Sequence, residues 1–423
     1  MKIILKNVNI LSPGSKHHMK VKDVFINNGM VEKIAEANTI SDKDAEVIEG
    51  KENYISAGWF DLHVNFRDPG HEYKEGLTNG CKAAAHGGFT GVLLMPSTEP
   101  AIASKAAIEY VIQRTKNEIV DVIPAGALSV NRDGKDMSEM YDMSLAGTKV
   151  FTDDKRPVSD SGLLIRALQY SHNFKGKIFS YAEDKHISGK GQMNEGVVST
   201  QLGLKGSPAL AEEVNINRDL FIAEYCNCPI HFSTISSAGS VALIRAAKAK
   251  GIKVTCDVAV INLYFNETAL VGFDTNYKVK PPLRTEDDRL ALIDGLVDGT
   301  IDCITSDHCP DDVENKLKEF ELANYGISSI DTAFATARTA TKDKLNLAEL
   351  ISKFTNHPRC CAGQKTILIE EGNQANITVF DPNKKWIVSA GDIRSASKNS
   401  PFIGQELIGK PVCVINKGQI VKI

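Results

Sequence analysis

Between two ends of β texture, the chain repeats one pattern eight times: a short run rich in β-branched residues, then an amphipathic stretch of helical length. The runs end near Leu62, Met95, Pro124, Phe151, Tyr181, Thr234, Cys256 and Ser306, and helices are expected over 105–116, 161–172, 208–225, 239–250 and 286–298. Such alternation implies parallel strands covered by helices, because each apolar strand face must be buried under an apolar helix stripe. Eight units over residues 56–365 fit a closed (β/α)8 barrel better than an open doubly wound sheet. A barrel gathers its chemistry at the C-terminal ends of its strands.

Residues 1–55 and 366–423 alternate apolar and polar side chains in short runs such as Val24-Phe25-Ile26 and Ile377-Thr378-Val379-Phe380. This α/β chain is therefore expected to carry a small composite β-sandwich lobe built from both termini. The 49 basic and 53 acidic residues leave a net charge of -4, which argues against a general nucleic-acid binder and against attraction to anionic membranes. A small molecule or a protein is the expected partner. No apolar run approaches the ~20 residues that span a bilayer, and no glycine-rich phosphate loop is present. The nine cysteines are scattered without a CxxC pair, only Cys360 and Cys361 being adjacent, so a reduced, cytoplasmic protein with packing cysteines is expected.

The first barrel strand ends in Asp61-Leu62-His63-Val64-Asn65-Phe66-Arg67-Asp68-Pro69-Gly70. With Gly87-Gly88-Phe89-Thr90, Met95-Pro96-Ser97-Thr98, Phe151-Thr152-Asp153-Asp154, Met193-Asn194-Glu195-Gly196, Pro281-Pro282-Leu283-Arg284 and Ser306-Asp307-His308 following in order, the chain resembles the dihydroorotases of the amidohydrolase superfamily from end to end. The resemblance implies an amidohydrolase barrel and a reaction of pyrimidine biosynthesis, the opening or closing of a cyclic amide between dihydroorotate and carbamoyl aspartate. In that family paired divalent ions, usually zinc, lower the pKa of bound water from 15.7 to about 7. Imidazoles are the main ligands.

Carried over residue by residue, the resemblance leaves His63 as the one surviving imidazole. Asn65, Tyr181 and Thr234 stand at the other three histidine positions, and His231 lies three residues short of the last of these. Asp307 matches the metal-binding and proton-shuttling aspartate. Asp153 matches the carboxylate bridge of bacterial relatives, while Lys149 matches the carboxylated-lysine bridge of others; the two alternatives stay open here. Arg67 matches the arginine that grips a substrate carboxylate through its planar fork. Ser97, Lys280 and Asp311 stand where the family has two asparagines and a histidine for substrate binding; an aspartate at 311 would repel an anion unless Lys280 offset it.

The leading expectation is a dihydroorotase homologue of weak or absent hydrolytic activity, with one ion or none instead of two zinc ions. It would be retained as a scaffold and, by the resemblance, form a homodimer or assemble with aspartate transcarbamoylase. A working hydrolase with a single metal on His63, Asp153 and Asp307 is the first alternative. An anion-binding sensor using Arg67 and Lys280 is the second.

Overall fold

The computed structural model describes residues 1–50 and 53–423. Parallel strands β1 (Trp59–Val64), β2 (Phe89–Leu94) and β3 (Asp121–Pro124) form one group. Strands β4 (Val150–Phe151), β5 (Lys177–Tyr181), β6 (Ile230–Ser233), β7 (Val254–Ala259) and β8 (Cys303–Thr305) form the other. Single parallel bridges from Gly126 to Phe151 and from Val64 to His308 join the groups and close the barrel. The closing seam is reinforced from inside, where Thr305 Oγ1 and the Ser306 N–H both donate to the buried Asp61 carboxylate of β1.

The strands end close to where the β-branched runs stop, except that β7 continues to Ala259 because Asp257, Val258 and Ala259 pair with Cys303, Ile304 and Thr305. Helices Lys105–Thr115, Ser161–His172, Leu210–Cys226, Ala238–Ala249 and Glu286–Val297 start and stop within about two residues of their expected positions. The last of these begins in a capping box: Thr285 Oγ1 accepts from the Asp288 N–H at 3.2 Å, and the Asp288 carboxylate accepts from the Thr285 N–H at 3.2 Å. Thr285→Ala should lower stability by about 1 kcal/mol, the usual cost of a lost N-cap oxygen. Urea unfolding of the two proteins would measure it, and equal midpoints would show that the cap contributes nothing.

Both ends of the chain enter one lobe. Strand Tyr54–Ala57 lies between Lys2–Leu11, which it pairs in parallel, and Ile377–Ile387, which it pairs antiparallel, so the two termini share a hydrogen-bonded network of eight strands. Ile3, Leu5, Val24, Ile26, Ile377 and Ile415 form part of its core. The lobe is fastened to the closed end of the barrel by aromatic packing, with the Trp59 ring 4.5 Å from Phe334 and 5.4 Å from Phe380. Gly88 makes this approach possible: a Cβ there would sit 2.5 Å from the Trp59 ring, and its φ of +91° is one that glycine adopts without strain.

Candidate active site

The mouth of the barrel keeps an unusual backbone. Arg67 after β1, Asp154 after β4, Thr234 after β6 and Asp307 after β8 all have positive φ, between 52° and 63°. For a β-branched residue such as Thr234 this conformation is a true outlier. Such strain costs on the order of 1–3 kcal/mol per residue and gathers at functional sites.

The turns at Asp154, Thr234 and Asp307, together with His63 on β1, bring polar side chains to one point. The His63 imidazole, fully buried on β1, has its Nε2 2.7 Å from Asp154 Oδ1 and 3.5 Å from Asp307 Oδ1. Lys155 reaches in from the loop after β4, its Nζ 2.9 Å from Asp307 Oδ1 and donating to Thr234 Oγ1 at 2.9 Å. The same ammonium lies 5.3 Å from the centre of the Tyr181 ring, within cation–π range. Asp154 is bound on its other oxygen by Ser97 Oγ, which in turn accepts from Arg132. Burial and the Lys155 ammonium oppose charge on His63, but the Asp154 and Asp307 carboxylates overcome them and hold the imidazole above its ordinary value. Against the burial that raises it, Asp154 is held well below the usual carboxylate range by His63 and Lys155. Burial lifts Asp307, partly offset by Lys155 and His63.

The carboxylate that meets His63 is thus Asp154, whereas the resemblance placed the bridge on Asp153. Asp153 turns away: its Oδ1 accepts the N–H groups of Leu128 and Ser129 at 2.9 Å each, and its Oδ2 accepts Ser129 Oγ at 2.5 Å. Lys149 is exposed and donates to the Gly363 carbonyl at 3.2 Å, outside the cluster. Asp311 faces Lys74, 2.6 Å away, and accepts from Asn324 at 3.0 Å. Lys280 pairs with Glu183 at 2.7 Å, so each of these charges is balanced by a residue other than its expected counterpart. Arg67 donates through Nε to the Pro310 carbonyl at 3.1 Å and through Nη2 to Cys309 Sγ at 2.8 Å. Asn65 is buried beside the seam, with its N–H donating to the His308 carbonyl at 2.8 Å. His231 points below the mouth, its ring 4.1 Å from Phe179.

Lys155, Asp154 and Arg132 join the site although sequence reasoning did not single them out. The available signal was a cation directly following a pair of acids in Asp153-Asp154-Lys155. It shows that an opposite charge is present locally, but not that the lysine folds back over the barrel axis.

A pair of divalent ions fits this arrangement poorly. Zinc is held by imidazole, thiolate and carboxylate donors, whereas the positions that carry imidazoles in the family hold Asn65, Tyr181 and Thr234, and an ammonium sits beside the His63, Asp154 and Asp307 side chains. Among the described residues, no group of three or more His, Cys, Asp or Glu side chains is arranged to hold an ion. The Lys155 ammonium lies where it counters the Asp307 charge directly.

A closed barrel with a two-ended β lobe and a polar cluster on its strand ends is the architecture of the amidohydrolase superfamily. The fold is similar to that of the L-hydantoinase (dihydropyrimidinase) from Arthrobacter aurescens, with a TM-score of 0.85 and 22% identity over 99% of this chain and 96% of that one. It is also similar to the D-hydantoinase (dihydropyrimidinase) from Thermus sp., with a TM-score of 0.82 and 20% identity over 99% and 94% of the two chains. The family model described as Dihydro-orotase-like matches residues 53–240. The chain is 39% identical over 423 residues to the dihydroorotase of Trichlorobacter lovleyi, covering 100% of this chain and 99% of that protein. It is 40% identical over 421 residues to the dihydroorotase of Ruminiclostridium cellulolyticum, covering 99% and 98%. The chain belongs to the dihydroorotase family. No helix among the described residues is long and apolar enough to cross a membrane.

Proposed function

We propose that this member of the dihydroorotase family does not run a two-metal hydrolysis and serves as a folded scaffold that keeps the family's barrel without its reaction. The observation that carries this reading is Lys155, whose ammonium contacts Asp307 and Thr234 at 2.9 Å each and faces Tyr181. A tethered monocation neutralises carboxylate charge but cannot act as a Lewis acid or generate hydroxide from bound water. The replacement of imidazoles by Asn65, Tyr181 and Thr234 supports the same conclusion from the donor side.

The test measures zinc content and dihydroorotate turnover on protein purified without chelator and equilibrated with zinc. The expected result is well under about one ion per chain and no turnover above a blank, since activated water would be scarce at neutral pH. Near two ions with steady hydrolysis would overturn the proposal. One ion with turnover lost on Asp307→Asn would favour the single-metal alternative instead.

A scaffold also needs a partner surface. Helix Leu210–Cys226 leaves Leu210, Val214, Phe221 and Tyr225 exposed, at spacings that place them along one face of the helix. The partner implied by family resemblance is aspartate transcarbamoylase, and coelution of the two proteins on gel filtration is the expected result. Separate elution at micromolar concentration would remove that part of the proposal.

A further inference from the structure

At the opposite end of the barrel from the Lys155 cluster lies a cavity of about 280 Å³, lined in part by Cys360, Cys361, Lys177, Phe179 and His231. Cys361 closes the short helix Asn356–Cys361, and Cys303 opens β8; their sulfurs stand 3.6 Å apart. Cys303 is fully buried while Cys361 is partly exposed, so one sulfur of the pair meets the cavity and the other backs it. His231 is locked beside them: Thr255 Oγ1 is 2.8 Å from its Nδ1, Asp257 Oδ2 is 2.9 Å from its Nε2, and Phe179 stacks on its ring.

Burial resists charge on His231, but the Asp257 carboxylate and Cys361 hold its imidazole up to about 9. A hydrogen bond from Cys303, followed by the neighbouring His231, lowers the Cys361 thiol below its ordinary value despite burial. The thiolate is the reactive form of cysteine, and an adjacent imidazolium favours it. These groups do not form an ion site, since no three His, Cys, Asp or Glu side chains are so arranged among the described residues.

We propose that Cys361 and Cys303 form a dithiol that peroxides oxidise to a disulfide, with Cys361 as the attacking sulfur and Cys303 as the resolving one. In the first step the Cys361 sulfur attacks one peroxide oxygen and the O–O bond breaks. The departing oxygen takes up a proton and leaves as water or an alcohol, and Cys361 becomes a sulfenic acid. In the second, the Cys303 sulfur attacks the Cys361 sulfur, the S–O bond breaks, and hydroxide leaves as water with the Cys303 proton. Two thiols are oxidised and one peroxide is reduced. The sulfurs, 3.6 Å apart, must close to the ~2.05 Å of a disulfide, a movement of about 1.5 Å. None of these groups contacts the side chains of His63, Asp154, Lys155 or Asp307; the one link to the mouth is the Thr234 N–H, which donates to Asp257 at 2.7 Å.

The reduced full-length protein is treated with one equivalent of hydrogen peroxide, digested and mapped by mass spectrometry. A Cys303–Cys361 linked peptide is the expected major product, and brief iodoacetamide labelling should modify Cys361 at least about tenfold faster than Cys226 or Cys413. Cys303→Ser should leave a sulfenic acid on Cys361 that a dimedone probe captures, and Cys361→Ser should leave Cys303 unoxidised. Failure to form the linked peptide in the wild-type protein, or preferential labelling of the more exposed Cys360 over Cys361, overturns the proposal whether or not the variants fold.

Discussion

Replacing Lys155→Gly together with Asn65→His, Tyr181→His and Thr234→His should raise bound zinc from near none to about two ions per chain, the number the family's ligand set holds. Either half of the change should fail alone. Lys155→Gly removes the ammonium but leaves His63, Asp154 and Asp307 as the donors, too few for two ions. The three histidines without the lysine change restore nitrogen donors around a cation that already lies 2.9 Å from Asp307. Two unit charges 4 Å apart repel by about 4 kcal/mol at an effective dielectric of 20, and a dication doubles that to about 8 kcal/mol. This repulsion opposes the ions that the three added imidazoles would hold. Elemental analysis of the four-fold, three-fold and single variants after zinc equilibration and desalting is the measurement. If the three-histidine protein binds two ions with Lys155 in place, the ammonium does not exclude metal and the proposed reading of the site loses its central support.

The architecture could be read from sequence because burial on both faces makes each barrel strand a short apolar run, and helix stripes separate them by regular intervals. The turn positions around the mouth were also readable, since the motif blocks coincide with strand ends. What side chains do at those turns was not readable to the same degree. Asp153 and Asp154 are neighbours, and only the left-handed backbone of Asp154 decides which carboxylate meets His63 and which receives the Leu128 and Ser129 N–H groups. Asp311 and Lys74 form their ion pair across 237 positions of chain, so neither residue's sequence neighbours disclose the partner. Cys303 and Cys361 are 58 positions apart and show no motif spacing, which is why the cysteines read as packing until the barrel brought β8 against the final helix. Residue types and strand ends are local information. Charge pairing across a barrel mouth depends on which turns face one another.

The motif block ending in Arg284 illustrates the same point with a stability consequence. Arg284 is 4% exposed, and its guanidinium ties the paired short strands Met193–Asn194 and Gly206–Ser207 to the loop after β6. Nη1 donates to Asn194 Oδ1 at 2.9 Å and to the Ser207 carbonyl at 2.6 Å, and Nε donates to Ser236 Oγ at 3.1 Å. The Glu212 carboxylate lies 3.9 Å from Nη2 and itself accepts the Ser236 and Ser237 N–H groups and Ser240 Oγ. Removing the guanidinium leaves the Asn194 oxygen unpaired, takes one of two donors from the Ser207 carbonyl, which keeps the Glu195 N–H at 3.3 Å, and leaves a buried carboxylate without its counter-charge. Arg284→Ala is therefore expected to lower folding stability by about 3–5 kcal/mol, the range for breaking a buried charged pair from one side. Arg284→Lys should recover only part of the loss, because a single ammonium cannot reproduce the planar fork that reaches Asn194, Ser207 and Ser236 at once. Chemical denaturation of the three proteins, followed by tryptophan fluorescence from the buried Trp59, measures both effects. A loss under about 1 kcal/mol for Arg284→Ala would mean that the loops are held mainly by their backbones and that this block of the motif persists for a reason other than folding.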